Sequence, residues 1–122
     1  MTETAHFAKN WQQQLAQAFT NIDDLCQYLD LNPSDLAVST SAAQQFALRV
    51  PLSFAASMEK GNPHDPLLRQ VLPITDELAF YAGYTNDPVG DLPAATQTGI
   101  LHKYQGRVLL INTGSCAINC RY

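Results

Sequence analysis

The chain has 122 residues, a net charge of −4 with only seven Lys and Arg, and 46% apolar against 15% charged residues. That is enough for one domain with a real core, and too short for most complete multi-step enzymes. The balance excludes a disordered chain and the clustered basic face that a nucleic-acid partner requires. No apolar run approaches the roughly 18 residues of a membrane span. Met1 to Asn10 carries neither a basic n-region nor an apolar h-region, so the chain reads as cytoplasmic.

From Thr4 to about Phe80 the pattern is helical and punctuated. Trp11, Leu15, Ala18 and Phe19 recur at helical spacing. Thr20 followed by Asp23 resembles a capping arrangement for a second short helix carrying Leu25 and Leu29. Asn32-Pro33-Ser34 breaks that helix, and Ser41 to Leu48 reads as a third. Pro51 opens a fourth through Met58, with Gly61 placed to close it. Asp65-Pro66 is an N-cap followed by proline at the first helical position, leading a fifth helix until Pro73 stops it.

From Tyr81 to Gly99 turn formers crowd together at Asn86-Asp87-Pro88, Val89-Gly90 and Leu92-Pro93, which marks a surface connector. Ile100 to Tyr104, a Gln105-Gly106 turn, and Arg107 to Thr113 follow. The second run is continuously apolar at its centre, as a strand buried on both faces of a parallel sheet would be. The expected class is therefore mainly α with a short β-hairpin at the C-terminal end. Its expected parts are a helical domain over 1–80, a connector over 81–99, and the first strands with a loop over 100–122.

The cysteines carry the chemistry. Cys26 lies on the apolar side of a helical pattern and reads as a buried small hydrophobe. Cys116 and Cys120 stand four apart in a loop after a strand end, where α/β folds place their active sites. Taken alone the pair is a weak signal. Zinc sites use such close pairs but need two more ligands, and His6, His64 and His102 have no spacing that ties them to it. Ordinary free thiols fit the pair as well.

The surrounding residues extend the signal. Cys116, Cys120 and Tyr122 reproduce a Cys-x-x-x-Cys-x-aromatic order that resembles the radical S-adenosylmethionine motif, in which a third cysteine follows the aromatic residue. His102 to Ile111, Gly114-Ser115-Cys116 and Asn119-Cys120-Arg121-Tyr122 together resemble the lysine 2,3-aminomutase family. Arg49-Val50-Pro51, Lys60 to Pro63, Asp65 to Pro73 and Thr85 to Pro88 resemble in particular the branch that makes the β-lysine attached to bacterial translation elongation factor P.

That resemblance implies a parent in which a helical N-terminal domain precedes a partial (β/α) radical barrel. Its cofactors would be a 4Fe–4S cluster, S-adenosylmethionine and pyridoxal 5′-phosphate, and its substrate lysine. Such clusters are usually held by four thiolates; a three-cysteine motif leaves one iron open to S-adenosylmethionine, whose cleavage yields a 5′-deoxyadenosyl radical that starts the α-to-β amino shift. Carried over by position, Cys116 and Cys120 would ligate the cluster, and Tyr122 would lie against the adenine. Lys103, Tyr104 and Arg107 would lie near the pyridoxal phosphate, where cations suit a phosphate dianion. Asn119 and Arg121 match the motif without an assigned role, and Asp65 and Arg69 read as structural.

The sequence departs from the family by lacking the barrel, the lysine that carries the pyridoxal phosphate, the substrate carboxylates and the third cysteine. It is therefore expected to be an inactive N-terminal fragment of the enzyme. A different class also accommodates the residues: a small helical binding module with incidental or zinc-binding terminal thiols. In that case Val108 to Ile111 should be covered within the chain; in the first case they should present an apolar face.

Overall fold

Short helices follow from a sequence in which caps and breakers come every few residues. In the computed structural model residues 10–121 are described, and they contain five α-helices and one hairpin: α1 (Trp11–Ala16), α2 (Ile22–Tyr28), α3 (Thr40–Gln45), α4 (Leu52–Ala55), α5 (Pro66–Arg69), β1 (Ile100–Tyr104) and β2 (Arg107–Leu110). The class is mainly helical with a two-stranded antiparallel hairpin near the C-terminal end.

Each helix is shorter than its apolar pattern. α1 ends before Ala18 and Phe19, because Phe19 instead exchanges backbone hydrogen bonds with Val50, at 2.8 and 3.0 Å. The cap of α2 is Asn21 rather than Thr20, its side chain accepting from the Asp23 N–H at 2.7 Å. Asn32 caps a 3-10 turn over Pro33–Asp35, and Ser39 caps α3 through the Ala42 N–H. Pro51 sits at the N-cap of α4, which closes at Ala56. Gly61, at φ +73°, therefore does not terminate α4; its N–H reaches the Leu29 carbonyl at 2.7 Å, in a turn that needs left-handed backbone. α5 begins as the sequence indicates, with the Asp65 carboxylate accepting from the Leu67 and Leu68 N–H groups at 2.8 and 2.9 Å.

By internal contact the described chain divides into two units, residues 10–79 with 116–121 and residues 80–115. The first holds the apolar core: Leu25, Leu29, Leu48, Val50, Ala55, Met58, Leu68, Val71 and Leu72. Burial of each large side chain contributes roughly 1.5–3 kcal/mol, which offsets the poor autonomy of helices of one or two turns. Cys26 is fully buried beside Leu25, as its helical position implies.

The second unit is a turn-rich connector leading into the hairpin. The Asp87 carboxylate accepts from the N–H groups of Asp91 and Leu92 at 2.7 and 2.9 Å, and His102 donates its N–H to the Ala94 carbonyl. β1 and β2 pair Ile100 with Leu110, Leu101 with Leu109 and Tyr104 with Arg107. Gly106 takes φ +77°, which the tight turn requires of its second central residue. β2 pairs antiparallel to β1 and is exposed along its length, whereas its apolar run reads as a strand buried in a parallel sheet. Hydrophobic content specifies what the strand could bury, not the partner that covers it. Val108, Leu109, Leu110 and Ile111 are all exposed, the point on which the two sequence readings differ.

Candidate functional site

The loop after the hairpin carries Cys116 and Cys120, and it belongs to the helical unit. Both are exposed free cysteines. The loop between and after them is held down at several points. The Asn119 N–H donates to the Arg49 carbonyl at 3.1 Å, and the Arg49 guanidinium reaches the Cys116 carbonyl at 3.4 Å. Thiolates are the donors that iron–sulfur clusters take, so the donor type fits such a group. Among the described residues no three His, Cys, Asp or Glu side chains converge as a metal site. Any cluster therefore needs a further ligand beyond these two thiols.

Cys120 and Arg121 line a cavity of about 520 Å³ with Phe46, Arg69, Leu72, Ile74, Asp76 and Glu77. The Arg121 side chain, 6% exposed, pairs with Glu77 at 3.0 Å. Burial pushes this guanidinium below its ordinary pKa, and the Glu77 carboxylate opposes that.

Lys103, Tyr104 and Arg107 lie together in the second unit. With Asp91, Leu101, Val108 and Leu109 they line a cavity of about 280 Å³ on the hairpin. Tyr104 and Arg107 are register partners across the turn, and the guanidinium lies 4.7 Å from the tyrosine ring centroid. Lys103 pairs with Asp91 at 3.1 Å and donates to the Val89 carbonyl. Two cations beside an aromatic ring fit a phosphorylated, planar cofactor. Of these two, Lys103 already has an anionic partner. Tyr122 lies outside the described residues.

Sequence reasoning missed Asp91, which sits in a turn-rich stretch, and left Arg121 and Asn119 without a task. Nothing in their spacing announces the seating, because Arg121 meets Glu77, Ala42 and Phe46 only in the folded chain.

The chain matches no family model. It is similar over 93% of its length to proteins named L-lysine 2,3-aminomutase. Identity is 46% over 115 residues to that of Escherichia coli (strain K12) and 40% over 114 residues to that of Haemophilus influenzae. It is 23% over 113 residues to that of Clostridium subterminale. The chain spans 33%, 34% and 27% of those three relatives. The residues around the two thiols thus lie in a sequence similar to aminomutases. More particularly, the chain is a homologue of the lysine 2,3-aminomutases, about a third as long as the first two relatives. Among the described residues no helix is long and apolar enough to cross a membrane.

Proposed function

We propose that this chain supplies part of the iron–sulfur site and part of the pyridoxal phosphate site of a cytoplasmic isomerase that converts L-α-lysine to β-lysine. The observation that carries the reading is the pair of exposed thiols at Cys116 and Cys120, on a loop of a chain that is 46% identical over 115 residues to an L-lysine 2,3-aminomutase. In this reading both thiolates ligate a 4Fe–4S cluster, and a third thiolate follows Tyr122. When bound, the cluster and S-adenosylmethionine supply the radical, and pyridoxal phosphate stabilises the migrating amino group.

The chain's own residues bind and orient. Arg107 holds the phosphate by charge-assisted hydrogen bonds, and Tyr104 supports the guanidinium with its ring face. Lys103 adds positive charge while its ion pair keeps the 87–91 loop against the hairpin. By its place in the motif, Tyr122 would be the residue that meets the adenine. Assignment to the branch that provides β-lysine for translation elongation factor P rests on the resemblance of Arg49-Val50-Pro51, Lys60 to Pro63, Asp65 to Pro73 and Thr85 to Pro88. With two thiolates in the loop, the 122-residue chain by itself retains little stable cubane and is inactive.

The test uses the full-length protein with S-adenosylmethionine, pyridoxal phosphate and a strong reductant, and follows lysine by mass spectrometry against β-lysine standards. Conversion to β-lysine is expected. A cluster-loaded protein that leaves lysine unchanged would overturn the substrate assignment.

A further inference from the structure

Between the two thiols, and just beyond the second, the loop turns inward. Ile118 packs against the apolar core. Asn119 is anchored twice, by its N–H on the Arg49 carbonyl and by its side-chain amide on the Ala47 carbonyl at 2.8 Å. Arg121 is anchored more heavily still. Its backbone N–H donates to the Gln70 carbonyl. Its Nε donates to Glu77 Oε1, and its Nη2 donates to the carbonyls of Ala42, at 2.9 Å, and Phe46. The guanidinium also lies 5.1 Å from the Phe46 ring centroid.

A guanidinium taken out of water is tolerated only where carboxylate and carbonyl acceptors match its planar fork. Acceptors meet Nε and Nη2, from Glu77 and from the Ala42 and Phe46 carbonyls at the end of α3, while Nη1 finds none among the described residues. The inward side chains are therefore Ile118, Asn119 and Arg121, while the exposed ones are Cys116 and Cys120.

We propose that Asn119 and Arg121 are positioning residues that seat the Cys116–Cys120 loop on the helical unit before any metal arrives, so that both thiols face an incoming iron–sulfur cluster. This role rests on the reading of the two cysteines as cluster ligands.

The test measures amide hydrogen exchange across residues 114–121 in the full-length protein freed of cluster, and then the rate of cluster formation during anaerobic reconstitution. Wild type is compared with Asn119→Ala, Arg121→Ala and Arg121→Lys. Arg121→Ala should raise exchange in the loop about tenfold or more, the effect of losing a hydrogen bond to a charged group, and Asn119→Ala by a few-fold, that of losing a neutral one. Protection at Leu25 and Val71 should stay at the wild-type level. Arg121→Lys keeps the charge but cannot fork across Glu77 and two carbonyls, so it should remain loose. Cluster formation should slow in step, while the spectrum of the cluster that does form stays unchanged because its ligands are intact.

Unchanged loop exchange in both alanine variants would overturn the proposal, as would cluster formation at the wild-type rate in all three. Should Arg121→Ala unfold the unit, shown by lost protection at Leu25 and Val71, Asn119→Ala decides the matter, since it removes no buried charge. A wild-type loop that is well protected yet binds no cluster would instead defeat the ligand reading and leave the seating intact.

Discussion

Lys103 reaches across the second unit to Asp91, Nζ to Oδ1 at 3.1 Å, and so joins the hairpin to the loop that precedes it. The pair is a third to nearly a half exposed, at 33% and 45% for the two side chains, so solvent screens it and its removal should cost less than about 1 kcal/mol. Arg107 has no carboxylate partner at salt-bridge distance among the described residues, its nearest charge-specific contact being the Tyr104 ring. The two cations should therefore differ in effect. Arg107→Ala should weaken pyridoxal phosphate binding in the full-length protein by about ten- to a hundredfold, the loss of a charged hydrogen bond. Lys103→Ala should weaken it less and should loosen residues 87–91. Equilibrium dialysis with pyridoxal phosphate, paired with hydrogen exchange, measures both. A neutral Arg107→Ala would remove that residue from the phosphate site.

Asp65 holds the entry to α5 and also accepts from the Glu59 N–H at 3.0 Å. Burial works to raise its carboxyl pKa, but the amides of Glu59, Leu68 and Leu67 together outweigh it and hold the group below the usual carboxylate value. A carboxylate with a depressed folded pKa stabilises the fold above its unfolded pKa and loses that contribution as pH falls through the folded value. Asp65→Ala should destabilise the helical unit by about 1–2 kcal/mol near neutrality. The gap between wild type and variant should close as pH drops below about 4. Denaturant melts at several pH values read this directly, and a pH-independent gap would contradict it.

Cys26 provides the internal control. Burial, reinforced by the nearby Asp23 carboxylate, pushes its thiol pKa up. It should therefore resist alkylation by iodoacetamide under conditions that modify the exposed Cys116 and Cys120. Cys26→Ala should cost about 1 kcal/mol of stability and leave cluster content unchanged. Mass-spectrometric mapping of the alkylated thiols checks the first point, and rapid labelling of Cys26 in the native state would contradict it.

The hairpin's exposed leucines define a fourth outcome. Val108, Leu109, Leu110 and Ile111 expose apolar side chains on both faces of the strand, with Leu110 at 66% exposure. The 122-residue chain should associate with rising concentration, as unpaired strand edges and apolar patches do. Leu110→Lys should suppress that association without lowering the stability of the helical unit. Sedimentation at several concentrations distinguishes these outcomes, and a strictly monomeric wild-type chain would contradict the expectation.

Local chemistry was the most legible part of the fold. Asp65-Pro66 marked the start of α5 and Gln105-Gly106 the hairpin turn, because caps and turns depend on residues within a few positions. Helix lengths were less legible, since Phe19 leaves the helical pattern to pair with Val50, a choice made by a segment distant in sequence. The thiols were visible as a motif, but their seating was not. Arg121 meets Glu77, Ala42 and Phe46 only after the chain has folded back on α3, and no spacing in the sequence announces that contact.

The central claim is that Cys116 and Cys120 ligate an iron–sulfur cluster, and its most direct test is the iron and sulfide content of the full-length protein after anaerobic reconstitution. Wild type should hold about four of each per chain. Cys116→Ala and Cys120→Ala should each hold almost none, with the helical unit still folded by circular dichroism. Full cluster content in either variant would contradict the account.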